Sequence, residues 1–155
     1  MSKTKLAVLL PAAAAAVTAA PIKSTAVNVA IPINITGVYI NVVTGASSSL
    51  TSAVPGWDLN FWGQTSFVVW ANNAASPNDG VMSTPGGVSS LIGALSAGTF
   101  IDSSGSFLRT AAPTTSGIGA YQTNANNLVG FRFLDEADGQ YHYGWATIAL
   151  SGTLS

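Results

Sequence analysis

The sequence predicts an all-β fold: an antiparallel β-sandwich or jelly-roll-like arrangement with at most one short helix. Three observations predict it. Apolar residues alternate with polar ones at a period of two after Pro21, Gly/Pro/Asn/Asp/Ser turn clusters recur along the whole chain, and strands alternating with long helical patterns are absent. At 155 residues the chain is one domain's worth and is long enough to bury a core without disulfides. The expected organisation is a signal-peptide-like segment over 1–20 and a single β-sandwich domain over 21–155.

The first strand signal is the run in which Val27, Val29, Ile31, Ile33 and Ile35 occupy every second position. Pro32 has no N–H to give to a ladder, which places this strand at an edge or puts a bulge in it. Gly37 then shifts the phase, so that Val38, Ile40 and Val42 take the even positions, as at a bulge or bend between two strand segments. The polar run 45–52 reads as a loop, and Pro55-Gly56 as a turn ahead of a strand over 57–61. Further strands are predicted over 66–71, 99–101 and 120–123, separated by turn-rich segments at 72–80, 83–87, 102–106 and 110–117. Residues 88–95 place Val88, Leu91, Ile92 and Leu95 on one helical face, which suits a short helix or a strand and turn.

The closing stretch VGFRFLDEADGQYHYGWATIAL, residues 129–150, reads as a β-hairpin. Val129, Phe131 and Phe133 point one way, and Asp138-Gly139 is a strong reversal dipeptide because Gly accepts positive φ. On the return strand Tyr141, Tyr143, Trp145, Thr147 and Ala149 share one face, while His142, Gly144, Ala146, Ile148 and Leu150 share the other.

Only 7% of residues are charged, with five Lys plus Arg against six Asp plus Glu. No basic stripe is available to neutralise phosphates, so nucleic acid is excluded as a partner, and an anionic membrane surface by the same balance. Zero cysteine removes disulfides, thiolate catalysis and Cys-ligated zinc together. The first twenty residues, MSKTKLAVLLPAAAAAVTAA, carry Lys3 and Lys5 ahead of an uncharged run and close on small residues near Ala20, the layout of a secretory signal peptide. That run is short and contains Pro11, so no stable membrane span is expected.

Sites of chemistry are few. His142 is the chain's one histidine, and as a general base or metal ligand it would look to Asp135, Glu136 or Asp138. Against that, no second histidine and no nucleophile in a recognisable frame accompany it, so the expectation is a cross-strand histidine among polar neighbours beside a solvated turn. Asp135, Glu136 and Asp138 are the residues that would hold calcium, though D-x-x-D-G lacks the ligand count of an EF-hand loop. No cofactor is otherwise expected. Trp57, Trp62, Trp70 and Tyr143 are the candidate platform for a sugar, set against the commoner use of strand aromatics as core. There is no G-x-S-x-G elbow and no G-K-[ST] phosphate loop, and no enzymatic activity is expected.

The combination AVPGWDLNFWG at residues 53–63 and VGFRFLDEADGQYHYGWATIAL at 129–150 resembles a group of uncharacterised secreted proteins of Gram-negative bacteria, many of which carry a PEP-CTERM sorting tail. The likeness lies in a GWD strand, a Gly/Ser-rich middle and a closing hairpin ending in YGW, and it covers most of residues 26–150. The resemblance implies export, to the medium or the cell surface, and a β-sandwich. The group has no established activity to carry over. Because the chain ends at Ser155 without a Pro-Glu-Pro motif, anchoring by that tail is not expected.

These readings converge on a secreted, non-enzymatic structural protein, a self-assembling filament, matrix or surface-layer subunit. Val27, Val29, Ile31, Ile33 and Ile35 would be its assembly strand, added to the sheet of a neighbouring copy. The alternative is an extracellular module that binds cell-surface polysaccharide, and a further one is a hydrolase built around His142 and the acids.

Overall fold

The computed structural model describes residues 28–63, 67–72, 79–83, 94–111 and 126–150. Nine strands run in order through them: β1 (Val38–Ile40), β2 (Ser47–Ser48), β3 (Leu59–Gly63), β4 (Phe67–Ala71), β5 (Gly80–Met82), β6 (Phe107–Leu108), β7 (Thr110–Ala111), β8 (Asn126–Asp135) and β9 (Gln140–Ala149). Among the described residues the only helical element is a 3-10 turn at Thr51–Ala53. No helix there is long and apolar enough to cross a membrane.

Alternation sorts the strands into two antiparallel sheets that face each other. One has the order β2-β1-β3-β4-β7 and the other β6-β5-β8-β9. In the first, the registers Val38↔Phe61 and Phe61↔Val69 carry one inward row across three strands, and Ile40↔Leu59 with Leu59↔Ala71 carry the next. In the second, Val81↔Phe131 continues the row inward. The buried cluster takes Val38, Leu59, Phe61, Phe67, Val69 and Ala71 from the first sheet and Val81, Val129, Phe131, Phe133 and Ile148 from the second. Interleaved inner faces of this kind are what hold a sandwich together.

The sheets are joined along one side by a strand that changes sheet. β6 pairs with β5, β7 pairs with β4, and only Arg109 separates them. The Arg109 carbonyl accepts the Ala71 N–H at 2.8 Å as the chain turns the corner. Bends at such corners let one run of chain serve two ladders.

The hairpin of β8 and β9 forms as the sequence predicts, in a register from Asn126↔Ala149 to Asp135↔Gln140. Gly144 lies opposite Phe131, and a Cβ there would come within 2.8 Å of the ring, so the small residue makes room for the large one. In the turn, Gly139 has φ +68° and its N–H donates to the Asp135 carbonyl at 2.8 Å.

Residues 28–36 depart from the expected strand. None of them pairs in a ladder, and 33–36 bend. Asn34 supplies the reason: its Oδ1 accepts the N–H groups of Thr36 (3.0 Å) and Gly37 (2.8 Å), and its own N–H donates to the Pro32 carbonyl. A side chain that captures backbone donors in this way competes directly with a ladder. Val29 and Ile31 still pack on the core, whereas Ile33 and Ile35 are 69% and 72% exposed. Val27 lies outside the described residues. Over its described part the expected assembly strand makes no ladder, and the chain bends at 33–36.

Other differences have a common cause in strand length. β2, β5, β6 and β7 have two or three residues each, too few for a period to show, and β5 lies fully buried beside what reads as a turn. Residues 99–101, predicted as a strand, begin at a turn in which Thr99 donates to the Ser96 carbonyl through both N–H and Oγ1. Leu95 bridges to Leu128 rather than ending a described helix, and the rest of that predicted segment and the one over 120–123 lie outside the described residues.

Two glycines with positive φ separate backbone strain from crowding. Gly139 has open space where a Cβ would stand, but at Gly37 (φ +69°) a Cβ would meet the Phe61 carbonyl oxygen and the Trp62 Cβ. Gly139→Ala is expected to cost about 1 kcal/mol from φ alone. Gly37→Ala is expected to cost clearly more, since backbone must move. Urea denaturation of both variants checks this; equal losses would show that Gly37 is not crowded.

Candidate functional site

The tip of the β8–β9 hairpin holds the residues that the sequence marks as chemical. Asp135 Oδ1 accepts the Ala137 N–H at 2.9 Å, and Asp138 Oδ1 accepts the Gln140 N–H at 2.8 Å. One oxygen of each aspartate is thus spent on building the turn. His142 is half-buried on the inward face, opposite Phe133 rather than among polar residues, with the rings 5.8 Å apart. Its Nε2 lies 2.9 Å from Asp138 Oδ2. The Asp138 carboxyl is held below the usual range, first by the Gln140 N–H and then by the His142 hydrogen bond. Donor atoms of Asp135, Asp138 and His142 lie within 4.8 Å of one another, a grouping that could hold a cation. Glu136 leans instead over Gly56, its Oε1 2.6 Å from where a Cβ would sit.

A second polar group lies deeper, where the GWD segment enters β3. Asp58 is 2% exposed, and its Oδ2 accepts the Val42 N–H at 2.7 Å. Burial, the largest cause, and the neighbouring carboxylates Asp79, Glu136 and Asp135 push its pKa up to about 7, against the lowering pull of the Val42 N–H. Its own N–H donates to the Ile40 carbonyl and its carbonyl accepts the Asn72 N–H, both at 2.8 Å. Asn41 Nδ2 donates to the Gly56 carbonyl (2.6 Å) and Asn72 Nδ2 to the Trp57 carbonyl (2.7 Å). Buried Asn side chains satisfy backbone here, so the cluster ties together the ends of β1, β3 and β4. The sequence carries one sign of it, an aspartate set between apolar residues in GWDLNFWG. No role is assigned to Asn41 or Asn72 by sequence reasoning, because asparagine reads first as a loop residue.

The four residues of the candidate sugar platform do not share one surface. Trp62 and Trp70 meet edge to face on the outer side of the first sheet, with centroids 5.8 Å apart and planes at 82°. Trp70 is 42% exposed. Trp57 packs edge-on against Tyr39 at 5.0 Å, and Tyr143 belongs to the other sheet, 5.6 Å from Phe107. Beneath the tryptophans, Asn60 Nδ2 donates to the Thr36 carbonyl, while Asn60 Oδ1 and Trp62 Nε1 are buried without a hydrogen-bond partner. Perpendicular rings over orphaned polar atoms are a packed surface layer rather than a flat stacking platform.

The outer face of the second sheet is aromatic in a different way. Tyr141, Tyr143 and Trp145 follow one another along β9, and Trp145 is 63% exposed. The Arg132 guanidinium stands over the Phe107 ring at 4.8 Å and the Tyr141 ring at 5.6 Å. β9 itself is the end strand of the sheet, ten residues long, with β8 as its one partner among the described strands. The sequence contains both facts only in part: alternation shows which residues share a face, but not that the strand lies at a margin.

No protein-family model matches the chain, and neither the curated proteins nor the solved structures contain a significant match.

The raised pKa of Asp58 sets a pH dependence. The folded protein holds this proton at pH values where the unfolded chain, at the ordinary 3.8, has lost it. The stability it supplies is fully present below pH 3.8 and is lost as the pH rises through about 7, a change of up to ~4 kcal/mol. Thermal unfolding is expected to shift down between pH 5 and pH 8 in the natural chain and to stay nearly level in Asp58→Asn. Parallel curves for the two proteins would mean that Asp58 is ionised in the fold throughout.

Proposed function

We propose that this chain is a non-enzymatic structural protein that works outside the bacterial cell and associates with other copies by β-strand addition at β9. The observation that carries the reading is β9 itself: ten residues at the margin of a sheet among the described strands, containing no formally charged residue and no proline. An edge strand leaves a row of N–H and C=O groups unpaired, and monomeric proteins blunt such edges with Lys, Pro, bulges or short strands. β9 has none of these, whereas β2, β6 and β7 stop at two residues. The secretory layout of residues 1–20 and the near-absence of charge support export to a surface or matrix role. Strand donation by residues 27–35 is not favoured, because Asn34 closes a turn inside that segment.

Lysine at an exposed position of β9 supplies the missing defence. Thr147→Lys is expected to abolish self-association in light scattering while leaving the circular dichroism spectrum and melting temperature close to those of the natural chain. Association that survives the substitution would exclude β9 as the interface.

A second reading, the binding of cell-surface polysaccharide, is favoured by an outward aromatic row in which Trp145 is exposed and the two tyrosines are half-buried. Tyr141, Tyr143 and Trp145 stand at every second position of one strand, about 7 Å apart, and each joins an apolar ring to a polar group. On this reading Trp145→Ala lowers retention on a column of insoluble polysaccharide, and Trp70→Ala, on the other sheet, does not. Equal retention of both variants and the natural chain would remove β9 from glycan binding.

A further inference from the structure

We infer that Asp135, Asp138 and His142 form a binding site for one divalent transition-metal ion of the zinc class at the tip of the β8–β9 hairpin. The site needs only the hairpin itself and is independent of whether β9 meets another strand.

Three points of one hairpin converge on it. Asp135 is the last residue of β8, Asp138 lies in the turn and His142 is the third residue of β9, so closing the ladder brings all three to one end. One donor atom from each lies within 4.8 Å of the other two, and His142 Nε2 is 2.9 Å from Asp138 Oδ2. Zinc held tetrahedrally at about 2.0–2.2 Å from N and O ligands sets those ligands roughly 3.3–3.6 Å apart. The observed separations, from 2.9 Å to at most 4.8 Å, span that spacing, so small side-chain movements close the shell.

Two features separate this group from a turn that merely carries acids. Asp135 is 8% exposed, and among the described residues only its Oδ1 takes a hydrogen bond, from the Ala137 N–H. A buried carboxylate with an oxygen left over calls for a donor or a cation, and no Lys or Arg among the described residues pairs with Asp135 or Asp138. The other feature is the imidazole. Its packing on Phe133, with ring centroids 5.8 Å apart, holds the ring while Nε2 points at the carboxylates. A ligand fixed by its own packing loses little freedom when an ion arrives. Asp138, 46% exposed, leaves the ion a way in from solvent.

The donor set chooses the ion. Calcium takes about six to eight ligands, all of them oxygens. One imidazole nitrogen with two carboxylate oxygens suits zinc, nickel or copper instead, and three protein ligands leave the fourth position of a tetrahedron to water.

Calorimetric titration of the full chain with zinc chloride tests this, with cobalt chloride as a spectroscopic probe of the same site. The expected result is saturation at one ion per chain, visible absorption of four-coordinate cobalt that zinc abolishes, and a melting temperature that rises with zinc. Asp135→Asn and Asp138→Asn remove a charge but keep the oxygen that accepts the turn N–H. Each of them, and His142→Gln, should weaken zinc at least tenfold with the circular dichroism of the natural chain retained, whereas Glu136→Gln should leave zinc binding unchanged. A chain that takes up no zinc would overturn the site, as would zinc binding that survives His142→Gln. Calcium bound as tightly as zinc would overturn the assignment of the ion and of His142 as its ligand.

Discussion

Everything in this fold depends on admitting polar groups to the ends of an otherwise apolar interior. Two sheets with inner faces of Val, Leu, Ile and Phe attract each other without direction, and the area they bury says nothing about how far along the strands they should slide. Direction comes from the group around Asp58. The Val42 N–H, the Ile40 carbonyl and the Asn72 N–H all bond to this one residue, and Asn41 and Asn72 reach across to the Gly56 and Trp57 carbonyls. Each bond is worth little in net terms, but leaving one of these buried groups unpaired costs more than forming the bond returns, so the network penalises any other alignment. Four of the chain's six acids lie near one another at this end, and the charge of the other three adds to burial in pushing the pKa of Asp58 up to about 7.

The sequence discloses the long elements and hides the short ones. The hairpin is legible down to its face assignment, since ten-residue strands display their period and Asp138-Gly139 marks the reversal. β3 and β4, at five residues each, are legible to within about two residues for the same reason, and β1 is found because Val38, Ile40 and Val42 continue its alternation past its end. Residues 27–35 mislead in an instructive way. Their alternation is as regular as that of any strand in the chain, yet Asn34 bonds Thr36 and Gly37 locally, and a side-chain acceptor two or three residues away wins over a ladder partner that must be brought from elsewhere. Pro32, which has no N–H to give to a ladder, lies at the start of that turn.

The candidate site was visible as a list of residue types but not as an arrangement. His142 and the acids of the hairpin turn are found where the spacing puts them, yet the packing of His142 on Phe133 and the turning away of Glu136 depend on which face of β9 meets the core. The tryptophans show the same limit. Trp62 and Trp70 meet because β3 and β4 pair in one register, whereas Trp57 packs on Tyr39 ahead of β3 and Tyr143 lies in the other sheet, which no local pattern records. That β9 lies at a margin is likewise a property of strand order, settled by contacts between residues far apart in the chain.

The four-residue connection between β8 and β9 has a consequence for the order of folding. Ten cross-strand pairs close over so short a loop that little chain entropy opposes them, and hairpins of this kind form in about 1–10 μs. The inner neighbour of β8 is β5, whose residues pair with it across roughly fifty intervening positions, as in Gly80↔Arg132. Long closures of that sort come later. For an interval, then, the side of β8 that the mature protein covers with β5 is open to a passing strand. Chains emerging close together would meet each other during that interval, so the speed with which β5 arrives separates orderly pairing from indiscriminate aggregation.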